Sequence, residues 1–225
     1  MAPAAERPAY PTLRLERRFW AAGDEVVCGI DEVGRGAWAG PVTVAAVVPD
    51  REHLRGIRDS KQLTRPEREV AAAAVRNWAL AVGVGHASHE ECDELGMTAA
   101  LRAAGHRALA QLDAQGYTPD RIVLDGNYDY LRLGSRVTTV IRGDATCLAV
   151  AAASCVAKVT RDAWMREEAE HYPPYDFESN VGYPAPVHKA ALAGYGPSAI
   201  HRRSWIFMEG LCWRGLPPPP GRLFG

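Results

Sequence analysis

Short apolar runs alternate along this chain with stretches of helical periodicity, the pattern of an α/β domain. Residues 26–30 and 42–48 (VTVAAVV) are rich in β-branched side chains and separated by Gly and Pro, so they predict neighbouring strands of one sheet. Thr64, followed three residues later by Glu67, is a capping box and places a helix from there to about residue 77. Residues 80–84 predict a third strand. A helix over 98–115 then carries the apolar stripe Leu101, Ala108, Leu109 and Leu112, with Gly116 as its stop. Strands are expected at 121–127 (RIVLDGN) and 136–141, and a long helix at 148–170, whose Ala/Ser-rich first half permits close packing on a sheet. Past residue 172 the character changes to scattered Pro and Gly, a short helix at 187–193, HRRSW at 201–205 and PPPP at 217–220. The expected division is a flexible lead-in (1–24), an α/β domain (25–172), a small helical region (173–205) and a Pro-rich tail (206–225).

Length changes this picture little, since 225 residues suit one such domain. No apolar run is long enough to span a bilayer, and the N-terminus carries Pro and charge where a signal peptide needs an apolar core. Both features point to the cytoplasm. Five cysteines without a CxxC pair read as reduced thiols. The net charge of −1 gives no bulk signature of nucleic-acid binding, so local clusters matter more than the sum.

The chemistry concentrates in acids at strand ends. CGIDEVGRGAWAGP delivers adjacent Asp31 and Glu32 and then the turn Gly34-Arg35-Gly36. Asp125 ends the strand at 121–125, and Asp144 follows the strand at 136–141. Singly, each has an ordinary reading: solvated hairpin acids, an Asp-Gly turn, a helix cap. Together they bring four hard oxygen donors to one edge of a sheet, a set that suits Mg²⁺ or Mn²⁺. Paired metals in such a cluster drive phosphodiester hydrolysis. Asp59-Ser60-Lys61 lies just before a helix start, a natural anion site or a plain polar loop. His86, His89 and Cys92 match no closed zinc spacing.

GIDEVGRG, DSKQLT, LDGN, GDA and AAASCVAKVTRD, in that order, closely resemble ribonuclease HII, as do GYPAPVHKAAL and HRRSW. The likeness covers residues 28–205. It implies a ribonuclease H-like fold, a mixed central sheet flanked by helices with a small C-terminal helical region. It also implies a monomeric endonuclease that hydrolyses the RNA strand of RNA–DNA hybrids and nicks 5′ of single ribonucleotides in duplex DNA. On this resemblance Asp31, Glu32, Asp125 and Asp144 are the catalytic acids, holding two Mn²⁺ or Mg²⁺ ions per cycle. Gly34, Arg35 and Gly36 contact the ribonucleotide 2′-OH and junction backbone, and Tyr183 stacks on the following deoxyribose. Ser60 and Lys61 contact backbone phosphate, while Lys158 and Arg161 support the site. Asp162 is expected in a structural salt bridge. Val181 and Ala185 depart from the Lys and Thr common in the family, which weakens a phosphate contact near Tyr183. The terminal GRLFG has a faint likeness to a sliding-clamp-binding peptide without its glutamine.

Two other readings remain open: a same-fold nuclease or strand-transfer enzyme acting on plain DNA, and, from a different class, a hybrid-binding module without catalysis. An interaction protein working through the Pro-rich tail is a third. The glycine-arginine-glycine turn and Tyr183 argue against the first, and the complete acid set argues against the second.

Overall fold

A computed structural model describes residues 10–211. In chain order it contains α1 (Arg14–Ala21), β1 (Val27–Val33), β2 (Val42–Val48), α2 (Arg65–Trp78), β3 (Ala81–Ala87), α3 (His89–Leu95), α4 (Met97–Ala114), β4 (Arg121–Asp125), β5 (Val137–Val140), α5 (Gly143–Thr146), α6 (Leu148–Ala169), α7 (Phe177–Asn180) and α8 (Pro186–Tyr195). The strands form one mixed sheet in the order β3-β2-β1-β4-β5, with β1 antiparallel to β2 and parallel to β4. This is the expected α/β architecture.

Helix α4 covers one face of the sheet and α6, flanked by α2, covers the other. The strand alternation sorts the side chains accordingly. Cys28 and Ile30 join the core under α4, whereas Gly29 faces α6. A Cβ on Gly29 would lie 2.3 Å from the backbone carbon of Ala149, so only glycine lets α6 approach so closely. Gly83 and Gly85 do the same for α4, where added Cβ atoms would meet the Ala108 and Ala104 carbonyl oxygens at 2.1 and 2.0 Å.

Three expectations change. Residues 14–21 are a helix rather than flexible lead-in, because Glu16 is fully buried and its Oε1 accepts the Ala149 N–H at 2.9 Å, capping α6 from outside the helix. Residues 1–9 lie outside the described residues. Strand β1 does not end at residue 30 but runs on, with Asp31 opposite Ala45 and Glu32 opposite Val44. The tail boundary at 206 also shifts: residues 206–210 form a turn of 3-10 helix with Met208 buried, and the Phe207 ring lies 4.3 Å from that of Trp38. The C-terminal region shares one core with the body, in which Ala39 and Met165 pack with Tyr175, Phe177 and Leu192.

Candidate active site

Parallel pairing sets the first three acids side by side. Ile30 is in register with Leu124, so Asp31 and Asp125 leave adjacent strands at the same level. The alternation then turns Asp31 toward α6 and Glu32 toward α4. Gly143, at the start of α5, donates its N–H to Asp125 Oδ1 at 2.7 Å, which brings Asp144 to the same edge.

The acids crowd one another. Burial, followed by the charges of Glu32 and Asp125, holds the Asp31 carboxyl well above the usual carboxylate range. Glu32 is raised by burial despite its Arg35 partner at 3.1 Å. Asp144 is raised by burial and then by Asp125 and Asp59. Lys61 reaches Asp144 Oδ2 at 3.3 Å. Burial opposes the lysine's charge, but Asp144 and Asp59 outweigh it and raise its pKa. One exposed lysine is thus too little to offset the cluster.

Among the described residues no three His, Cys, Asp or Glu side chains already converge as a metal cage. The donor set nevertheless fits a hard divalent cation. It is all carboxylate, burial and the Asp125 charge raise the pKa of Asp31, Glu32 and Asp144, and Glu32 Oε2 is buried without a hydrogen-bond partner. The Tyr130 hydroxyl beside it is also buried and unpartnered. Burial, and after it the Glu32 charge, hold the Tyr130 hydroxyl well above its usual range.

The glycine-arginine-glycine turn is gripped from the C-terminal region. Gly34 takes φ +91°, and a Cβ there would lie 2.4 Å from Arg161 Nε, whereas one on Gly36 would meet open space. The Gly34 N–H donates to the Tyr183 hydroxyl at 3.1 Å, and Arg202 donates to the Arg35 carbonyl at 3.1 Å. Arg161 is fully buried and donates to the carbonyls of Pro41, Val181 and Ala39 at 2.9, 2.8 and 3.0 Å. It ties the turn's far side to the segment before Tyr183. The guanidinium of Arg161 and the ammonium of Lys158 each stand 5.4 Å from the centre of the Tyr183 ring. Val181 sits at φ +44°, a left-handed conformation that a β-branched residue adopts only under restraint, here the bond from Arg161.

The remaining predicted residues fall as follows. Ser60 does not face solvent: its hydroxyl is buried 2.8 Å from Ser154 Oγ, so it braces the loop against α6 instead of contacting phosphate. Lys61 beside it is exposed. Asp162 pairs with Lys158 at 2.9 Å and Arg166 at 3.8 Å, the structural bridge expected. His86 Nδ1 is bonded to Thr43 Oγ1, and burial pushes the Cys92 thiol up, so neither is poised as a ligand. Tyr130, Ser154 and Arg202 were not singled out from sequence. Ser154 and Arg202 lie inside the motifs AAASCVAKVTRD and HRRSW, whereas nothing in sequence pointed to Tyr130.

A family model described as Ribonuclease HII matches residues 28–208. The chain belongs to the ribonuclease HII family. Ribonuclease HII of Streptomyces avermitilis is 51% identical over 209 residues, covering 92% of this chain and 88% of that protein. The Bacillus licheniformis protein is 44% identical over 192 residues, 85% of this chain and 73% of its own. Among solved structures, the PCNA:RNase HII complex of Archaeoglobus fulgidus matches with TM-score 0.68 and 28% identity, over 80% of this chain and 95% of that one. The ribonuclease H2 of Pyrococcus horikoshii gives 0.67 and 28% over 82% and 95%. The fold is ribonuclease H-like, and the protein is a ribonuclease H, an endonuclease acting on RNA–DNA hybrids. No helix among the described residues is long and apolar enough to cross a membrane.

Proposed function

We propose that this ribonuclease HII also nicks duplex DNA on the 5′ side of a single embedded ribonucleotide, and that Asp31, Glu32, Asp125 and Asp144 hold the divalent ions it requires. The observation that carries the reading is the mutual crowding of these carboxylates at one sheet edge, with Glu32 Oε2 buried and unpartnered. Mg²⁺ or Mn²⁺ bound there, two per cycle, would supply Lewis-acid activation of water and neutralise the leaving 3′ oxygen, giving 3′-hydroxyl and 5′-phosphate ends.

The chain's own residues supply recognition. The open face of Gly36 lets backbone amides approach the sugar-phosphate, and a 2′-OH contact there tells RNA from DNA. Arg35, bonded to Glu32, couples that turn to the acid cluster. Tyr183, steadied by Gly34 and flanked by Lys158 and Arg161, offers its ring to the deoxyribose after the ribonucleotide. Exposed Lys61 is the phosphate contact, and Ser60 positions it. The enzyme acts as a monomer, in a catalytic body that includes α1 and runs to residue 172, with a substrate-binding region from residue 173 through the turn at 206–210. A weak sliding-clamp contact belongs to the tail, whose GRLFG lies outside the described residues; the archaeal relative solved with PCNA supports looking for one.

The test is a denaturing-gel assay on a DNA duplex with one ribonucleotide, beside an all-DNA duplex and a continuous hybrid, with Mg²⁺, Mn²⁺ or chelator. A metal-dependent nick immediately 5′ of the ribonucleotide is expected, with all-DNA intact. Cutting of the continuous hybrid alone would remove the junction-reading role of Tyr183.

A further inference from the structure

Two histidines the active site does not use lie fully buried behind Tyr183, in a box of rings formed by Trp38, Tyr175 and Phe177. Their nitrogens form one chain. His188 Nδ1 lies 2.8 Å from the Tyr183 carbonyl, His188 Nε2 lies 2.9 Å from His201 Nε2, and His201 Nδ1 lies 2.9 Å from the Ser198 backbone nitrogen. The Ser198 hydroxyl also stands 2.7 Å from that Nδ1.

The protons of this chain follow from chemistry. A backbone N–H only donates, so His201 Nδ1 accepts. His201 then carries its proton on Nε2 and donates to His188 Nε2. His188 is left with its proton on Nδ1, aimed at the Tyr183 carbonyl, which only accepts. Each ring is neutral, and burial depresses both pKa values, His201 to about 3. The Tyr183 carbonyl needs such a donor. It lies just before α8, whose first backbone bond reaches back only to Ala185, from Lys189.

We propose that His188 and His201 are positioning residues for junction recognition: His201 fixes the tautomer of His188, and His188 thereby holds the Tyr183 backbone so that its hydroxyl meets Gly34 of the recognition turn. The proposal rests on the reading of Tyr183 given above. Without His201, His188 is free to protonate at Nε2 and to lose its hold on the Tyr183 carbonyl. The consequence belongs to selectivity rather than to hydrolysis, because neither histidine reaches the acid cluster.

Long-range proton–nitrogen NMR correlations on the full-length enzyme test the tautomers directly. At neutral pH His188 is expected as the Nδ1–H form and His201 as the Nε2–H form; His188 protonated at Nε2, or either ring charged, would overturn the proposal. The second arm is the ratio of kcat/KM for an embedded ribonucleotide to that for a continuous hybrid. Loss of one such hydrogen bond predicts a fall in this ratio of about tenfold in His188→Leu. His188→Asn, whose amide N–H replaces Nδ1–H, should recover the ratio to within about twofold, while His188→Gln, which lacks a donor there, should not. Adding His188→Leu to Tyr183→Ala should cost nothing further. Equal ratios for the Leu, Asn and Gln variants would refute the relay. An unchanged ratio in Tyr183→Ala would instead refute the junction reading beneath it, and with it the selectivity consequence, leaving the tautomers to stand or fall on the NMR result. Should His188→Leu fail to fold, His188→Asn against His188→Gln and the tautomers of the unaltered enzyme decide.

Discussion

At the scale of single residues, the acids show how a site is built against its own stability. Each carboxylate would be better solvated elsewhere, yet the strand register puts Asp31 and Asp125 level and Gly143 N–H draws in Asp144. Replacing Asp125 by Asn keeps an oxygen for Gly143 and removes one charge from the cluster. Cleavage of a hybrid is expected to fall by at least about a hundredfold, because losing a proposed metal ligand should cost more than losing a group that merely orients one. The thermal midpoint in chelator should rise by about 2 °C as repulsion is relieved, and the added stabilisation by Mn²⁺ should disappear. Full activity in this variant, measured by the same gel assay, would remove Asp125 from the metal site.

At the scale of elements, α6 carries much of the architecture. Its first half packs on Gly29 and its middle presents Ser154, Lys158 and Arg161. Its N-terminus is held by Glu16, from a helix far away in sequence. Burial raises the Glu16 pKa above the ordinary 4.5, although the Ala149 N–H works the other way, and Oε2 has no partner. The folded state therefore keeps this proton after the unfolded chain has released it. Stability from this group must then fall as pH rises from 4.5 through the folded value. Glu16→Gln retains the acceptor for Ala149 and cannot ionise. The difference in thermal midpoint, variant minus wild type, should grow as pH rises from 4.5 through the raised folded value; a difference that shrinks with pH would contradict the assignment.

At the scale of the whole molecule, the C-terminal region and the catalytic body are mutually dependent. Arg161 and Arg202 reach from α6 and the C-terminal segment to the carbonyls of the β1–β2 connection, and Met208 and Phe207 close the shared core over Trp38. A chain ending at Trp205 should lose about 2–5 kcal/mol of stability, the usual result of emptying a buried large side chain's place. The reference for that loss is a chain ending at Leu211, which keeps Phe207 and Met208 in place. Denaturant titration of both truncations checks this; equal midpoints would mean that residues 206–211 are dispensable.

Much of this enzyme was legible in its sequence, for local reasons. The Thr64-Glu67 capping box starts α2 as expected, with the Thr64 N–H bonded to Glu67 at 2.7 Å. Apolar periodicity placed α4 and α6 within a residue or so, and the acids, the glycine-arginine-glycine turn and Tyr183 stand in contiguous motifs. What sequence left undecided depends on partners distant along the chain. Residues 14–21 look like a polar lead-in until α6 offers Glu16 an unpaired N–H 133 positions away. Ser60 looks like a phosphate ligand until Ser154 takes its hydroxyl. Tyr130 and the two buried histidines acquire meaning only from the carboxylate, carbonyl and nitrogen they face. Sequence alone determined which chemistry the chain carries, because backbone propensity and ligand type are properties of short segments. Only the tertiary structure decided which polar groups are free to meet a substrate, because burial and hydrogen-bond satisfaction are settled between elements.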